Sequence, residues 1–168
     1  MRFTLSLLVF LLSFSAIAQK SDTAETTTYY FIRHAEKELS DPNNRDPELT
    51  KEGKERAQNW AKVLADVKID FVFSSDFIRT RHTAEPIIKA QNAPLLIYDH
   101  KKLNEPEFQE KTKGKTSVIV GHSNSTPTFV NTILGTKKYD KIDEKVYGKL
   151  FIVTLKNDEI VDHMLTIN

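Results

Sequence analysis

Three apolar runs in this chain stop at residues able to handle an oxyanion. Thr28-Tyr29-Tyr30-Phe31-Ile32 runs into Arg33-His34. Ile69 to Phe73 runs into Ser74-Ser75-Asp76, with Arg79 and Arg81 just beyond. Ser117 to Val120 runs into Gly121-His122-Ser123. Brought together, these ends would set guanidinium groups, two imidazoles and a helix N-terminus around one point. A guanidinium fork pairs two oxygens of a tetrahedral anion. A helix N-terminus adds N–H donors and partial positive charge. The ligand that fits such a set is a phosphoryl or similar dianionic group, and a neutral imidazole among the cations is a nucleophile toward phosphorus. Zinc held by His34, Glu36 and His122 is the weaker alternative, because Arg33, Arg79 and Arg81 would repel a dication. His100 and His163 have no such companions in sequence and read as surface or satisfied side chains.

These positions need a scaffold that presents strand ends side by side. The run from Thr28 to Ile32 is β-branched and aromatic, as a buried strand requires. Asp41 to Pro47 is dense in turn formers and reads as loop. Thr50 has the position of an N-cap, and Ala57, Trp60, Ala61 and Leu64 recur on one helical face. A strand over 69–73 precedes a helix over about 79–90, which Pro86 should kink or delay. Short strands follow at 95–98 and 117–120. A helix over 127–134 has Pro127 near its start and Gly135 past its end. Two late strands, 146–155 and 160–165, flank the turn Lys156-Asn157-Asp158. The expected order is β-α-β-α-β-β-α-β-β. It predicts an α/β fold, a three-layer α/β/α sandwich with a mostly parallel central sheet. Ligands in such sheets collect beyond the carboxyl ends of the strands.

Composition narrows the partners. The 168 residues carry 24 Lys+Arg against 23 Asp+Glu, a formal net charge of +1. That balance lacks the basic footprint of a nucleic-acid binder. The absence of Cys excludes disulfides, thiolate metal sites and a cysteine nucleophile. Residues 1–18 pair Arg2 with an apolar stretch from Phe3 to Phe14 and the small-x-small pattern Ala16-Ile17-Ala18, the pattern of a secretory signal peptide. The stretch is short for a bilayer span, so no stable membrane anchor is expected after cleavage. Residues 19–27 read as a polar leader and 28–168 as one catalytic domain. The expected location is periplasmic or secreted.

The segment Thr28 to Lys37 resembles the strand-plus-Arg-His signature of the histidine phosphatase superfamily, the phosphoglycerate mutase-like proteins. Further segments are similar in the same order: Leu49-Thr50-Lys51-Glu52-Gly53, Ser74 to Ala84, Leu103-Asn104-Glu105, and Val118 to Asn124. The resemblance implies His34 as the nucleophile that becomes phosphohistidine. It implies Arg33, Arg79 and His122 as the phosphoryl-binding set, and Glu105 as the acid for the leaving oxygen and then the base for water. Glu107 and Glu110 are close enough in sequence to serve instead. It also implies a small phosphorylated substrate, with no metal and no cofactor. Ala35-Glu36-Lys37 departs from the common Arg-His-Gly pattern, and Glu36 and Lys37 either shape the pocket mouth or are solvated. Only eleven residues separate Glu105 from Ser117, which predicts a shallow, open site without the lid a mutase needs. The expectation is an exported phosphomonoester hydrolase of the histidine acid phosphatase kind. The alternatives are a phosphohistidine-protein phosphatase and a non-catalytic phosphate-binding module.

Overall fold

The computed structural model describes residues 25–167. The expected signal segment, 1–18, and residues 19–24 of the expected leader 19–27 lie outside the described residues. Ten elements follow in order: β1 (Thr26–Arg33), α1 (Lys51–Val63), β2 (Phe71–Ser75), α2 (Ile78–Gln91), β3 (Leu95–Tyr98), α3 (Pro106–Thr112), β4 (Thr116–Gly121), α4 (Ser125–Leu134), β5 (Lys149–Lys156) and β6 (Glu159–Thr166). They build one six-stranded sheet in the order β3-β2-β4-β1-β5-β6. The first four strands in that order run parallel, and β5 and β6 add an antiparallel edge. The expected α/β architecture with a mostly parallel core is the one found.

Alternation along the central strands explains their continuous apolar runs. Ile32, Val72, Val118 and Val120 face Trp60 and Leu64 of the α1 segment and Ala84 and Ile87 of α2. Tyr29, Phe31, Phe73 and Ile119 face Phe129, Val130 and Ile133 of α4, with Phe108 of α3 packed beside them. Each strand is buried on both faces, so neither face carries a polar period. Truncating a ring such as Phe129, which is 1% exposed, costs about 3–5 kcal/mol.

The structure departs from the expected elements in several places: β2 runs 71–75 rather than 69–73 and α4 starts at Ser125 rather than Pro127, and four further differences have a local cause. β1 begins two residues early, because the Thr27 hydroxyl accepts from Gly114 N–H (2.8 Å) and anchors the start of the strand. Pro86 lies inside α2, yet the helix starts at Ile78 and runs to Gln91, so its start is not delayed. The pattern reading misses α3, whose seven residues are too few to show a period. Pro106 opens it, and Phe108 fixes it against Phe73 and Phe129 with ring centroids 5.0 Å from each. β5 starts at Lys149 rather than Val146, since the Val146 carbonyl is turned to Arg33 instead of into the sheet.

Two local features hold the loop after β1. The Thr50 hydroxyl caps α1 by accepting from Gly53 N–H (3.0 Å), and Thr50 N–H donates to the Glu36 carbonyl (3.0 Å). Gly53 lies so close to that carbonyl that a Cβ would sit 2.1 Å from its oxygen. Gly53 is thus explained by close approach, and Thr50 by capping. The parallel register aligns the strand ends: Arg33 pairs with Gly121, and Ser75 with Tyr98. Whatever follows those residues emerges on one edge of the sheet.

Candidate active site

His34 follows Arg33 directly and is 3% exposed. Its backbone N–H donates to Gly121 O (2.9 Å), which locks the chain where β1 and β4 end. Its Nδ1 lies 2.8 Å from Ala35 O. A carbonyl only accepts, so Nδ1 carries the proton and the Nε2 lone pair is free. Burial pushes the ring down to about 3, and the positive Arg33 and Arg79 add to the shift against the opposing carbonyl bond. His34 is therefore neutral near pH 7, the form a nucleophile needs.

His122 stands at the end of β4, its ring 5.5 Å from that of His34. It is also pushed down to about 3, first by burial and then by Arg79 and His100. Its Nε2 lies 2.9 Å from Ser75 Oγ. The Thr80 hydroxyl spends its proton on the Ser75 carbonyl (2.7 Å), so its oxygen can only accept from Ser75 Oγ (3.2 Å), whose one proton therefore has two acceptors within reach. When Ser75 donates to Nε2, the proton of neutral His122 stays on Nδ1, where it is a donor for an anion.

Two arginines complete the set. Arg33, 1% exposed, donates from Nη1 to the carbonyls of Asp143, Glu144 and Val146 at 3.0, 3.1 and 2.9 Å. Its Nη2 donates to Glu144 Oε2 (2.6 Å), and its guanidinium lies 4.2 Å over the Tyr147 ring. Arg79, in the first turn of α2, reaches Asp46 Oδ1 (3.2 Å) and packs 4.3 Å over Phe77. The Nε atoms of both arginines are buried without an acceptor among the described residues. A buried donor left unpaired costs about 1–3 kcal/mol. Two such donors, on arginines whose charges both reach His34, mark a place suited to an anion.

The cleft has a volume of about 250 Å³ and is lined by His34, Lys37, Phe77, Arg79, His100, His122, Ser123, Asn124 and Glu144. Asn124 caps α4 through its backbone position, with no side-chain cap bond. The α2 N-terminus is not free for a ligand, because Ile78 N–H donates to the Asp46 carboxylate (2.9 Å). Glu144 is held by Lys141, Ser123 and Arg33, and those bonds pull its carboxyl down to about 2. It is an anion facing the cleft and not a proton donor near neutral pH.

Several sequence candidates fall elsewhere. Glu105 is the exposed N-cap of α3; with Glu107 it lines a separate groove beside Leu96 and Phe108, and Glu110 borders another. The packing of Phe108 on the sheet sets α3 in a position that keeps these carboxylates out of the cleft. Glu36 accepts from Arg56 Nε (2.7 Å) and is committed to α1. Arg81 pairs with Asp76 at the surface. Lys37 does line the cleft. Sequence reasoning missed His100 and Glu144. The signal for His100 was present: β3 is a fourth parallel strand, and His100 lies two residues past its carboxyl end. No local pattern marks Glu144, which reaches the site on a loop.

This fold and site define an α/β phosphoryl-handling domain. The chain belongs to the histidine phosphatase superfamily, branch 1, whose sequence profile matches residues 29–117. A Schizosaccharomyces pombe protein named as a probable phosphatase is 39% identical over 77 residues, 43% of this chain. The match spans about a quarter of that relative's length. The fold is shared with the protein histidine phosphatase SixA complexed with tungstate (TM-score 0.65, 15% identity, 83% of this chain and 96% of that one). It is shared also with the α-ribazole phosphatase of Shigella flexneri (TM-score 0.63, 17% identity, 83% and 96%). The phosphoserine phosphatase of Entamoeba histolytica gives the same TM-score of 0.63 (17% identity, 81% and 94%).

Proposed function

We propose that this protein is an exported phosphomonoester hydrolase that works through a phosphohistidine on His34, without a metal ion. One observation carries the reading: a neutral His34 with Nε2 free lies beside His122 and feels the charge of two arginines, each with a buried Nε–H that has no partner among the described residues. Phosphoryl transfer spreads charge over the equatorial oxygens, so catalysis is mainly positioning and electrostatic stabilisation. Arg33, Arg79 and His122 would supply the donors to those oxygens. Nε2 of His34 would attack phosphorus while the leaving oxygen departs with its bonding pair. Water would then displace His34 and release inorganic phosphate. The cleft is open and small, which fits a compact phosphorylated group. The neighbours' substrates differ among themselves, so they support the chemistry and not one substrate.

The test is turnover of p-nitrophenyl phosphate by the purified protein. Activity should resist EDTA and vanish in His34→Ala. Rapid quench with labelled substrate should trap acid-labile, base-stable phosphate on residue 34. Turnover by His34→Ala, or loss of activity in EDTA, would overturn the reading. Export is checked by finding the chain in the periplasm or medium with residues 1–18 removed. A second reading, hydrolysis of a phosphohistidine protein, is favoured by one observation: among the described residues, no carboxylate suited to protonating an alkoxide lines the cleft. A P–N substrate whose nitrogen leaves already protonated needs none. Turnover of phosphohistidine with none of phosphoesters would establish it.

A further inference from the structure

We infer that His100 is the group that protonates the leaving oxygen of a phosphomonoester, the task the sequence pattern assigned to Glu105; this rests on the phosphomonoester reading above. A hydrolase acting on unactivated esters needs a proton donor at the leaving atom, which contributes about 10²–10⁴-fold. Glu105, Glu107 and Glu110 stand outside the cleft. Glu144 stands inside it but is clamped by Lys141, Ser123 and Arg33 as an anion.

His100 is placed for the task. Its ring centroid is 5.3 Å from that of His122, which in turn lies 5.5 Å from His34. An anion held by His122 therefore has the nucleophile and His100 each one ring contact away. Phe77 supports both rings, at 5.4 Å from His100 and 4.9 Å from His122. The turn that carries His100 is fixed by Asp99, whose carboxylate accepts from Lys101 N–H (2.9 Å) and whose carbonyl accepts from Lys102 N–H (2.9 Å). Among the described residues the His100 ring makes no hydrogen bond. Its nitrogens are thus free for substrate, and an imidazole nitrogen can both donate and accept a proton.

The Nε2 pair of His34 forms the N–P bond. The P–O bond breaks, and its electron pair goes to the leaving oxygen, which takes a proton from the His100 imidazolium and departs as an alcohol. Water then attacks phosphorus and gives its proton to the neutral His100. The P–N electron pair returns to His34, inorganic phosphate leaves, and both imidazoles regain their starting states.

The experiment compares His100→Asn and Glu105→Gln in the full chain on two probes, β-glycerophosphate and p-nitrophenyl phosphate. The first leaves as an alkoxide that needs a proton; the second leaves unaided. His100→Asn should lose about 100-fold in kcat/KM, which reads the phosphorylation step alone, on β-glycerophosphate and less than about fivefold in kcat/KM on p-nitrophenyl phosphate. Added imidazole should restore part of the first loss, and Glu105→Gln should match the parent on both. Labelled phosphate trapped on His34 in His100→Asn shows that the variant is folded and the nucleophile intact. Equal losses on the two probes, no loss on either, or a selective loss in Glu105→Gln overturns the role of His100 alone. Failure to trap phosphate on His34 in the parent protein overturns the phosphomonoester reading and the role of His100 with it.

Discussion

The two site histidines should make the fold acid-sensitive well above the pH at which its carboxylates titrate. His34 and His122 are each pushed down to about 3, chiefly by burial. In the unfolded chain each returns to about 6.5. As pH falls below 6.5 the unfolded chain binds two protons that the native protein refuses, so the balance shifts toward unfolding. The contribution is intact above about pH 6.5 and is lost progressively down to about pH 3. Between pH 7 and pH 5 each ring costs roughly 2 kcal/mol, and the pair roughly 4 kcal/mol. For a domain of this size that lowers Tm on the order of 10 °C. Glu144 works in a lower window: its carboxyl is held near 2, so its contribution is intact above about pH 4.5 and fades below it. The assay is thermal unfolding at pH 7, 6 and 5 in buffers free of phosphate and sulfate, since a bound oxyanion would itself stabilise the native state. His34→Gln should remove about half of the drop. A Tm shift under about 3 °C across that range, or an unchanged slope in His34→Gln, would refute the claim that both rings are buried neutral.

Ser75→Ala removes the partner that orients His122, and kcat/KM should fall about tenfold with little change in Tm, the worth of one buried hydrogen bond. Steady-state kinetics beside a melting curve check both halves. Glu144→Gln removes the negative charge facing the cleft and loosens the hold on Arg33 Nη2, so competitive inhibition by inorganic phosphate should strengthen several-fold. An inhibition constant at pH 7 reads it. Gly53→Ala would force a methyl onto the Glu36 carbonyl and should cost more than about 2 kcal/mol in urea unfolding, whereas Thr50→Ala should cost about 1 kcal/mol.

The residues legible in the sequence were those tied to regular elements. Arg33-His34, Arg79 and His122 could be found because parallel strands must deliver their carboxyl ends to one edge, and an apolar run that stops at charged residues shows where an end falls. The helical period of Ala57, Trp60, Ala61 and Leu64 was legible for the same reason, since one face had to be buried. The placement of Glu105 outside the cleft was not legible because it depends on α3, a seven-residue helix held by the stacking of Phe108 on Phe73 and Phe129. Those contacts join distant parts of the chain and leave no local period. The loop carrying Glu144 and Tyr147 was invisible too, because what fixes it is three backbone carbonyls converging on Arg33. His100 went unrecognised only because the short strand before it was not counted among those that reach the shared edge.

The three carbonyls and one carboxylate on Arg33 have a consequence for how an anion is held. A guanidinium has five N–H bonds, and Nη1 together with one hydrogen of Nη2 is already committed before any ligand arrives. What remains is a stiff two-pronged grip, Nε–H and the second Nη2 hydrogen, aimed by the loop rather than by the visitor. The rotamer freedom of that long side chain is surrendered during folding, so little is left to surrender on capture. A rigid fork of this kind pairs two oxygens of one oxyanion at once and fixes its orientation. Lysine, with a single rotating ammonium, would preserve the charge at position 33 and lose that control of orientation.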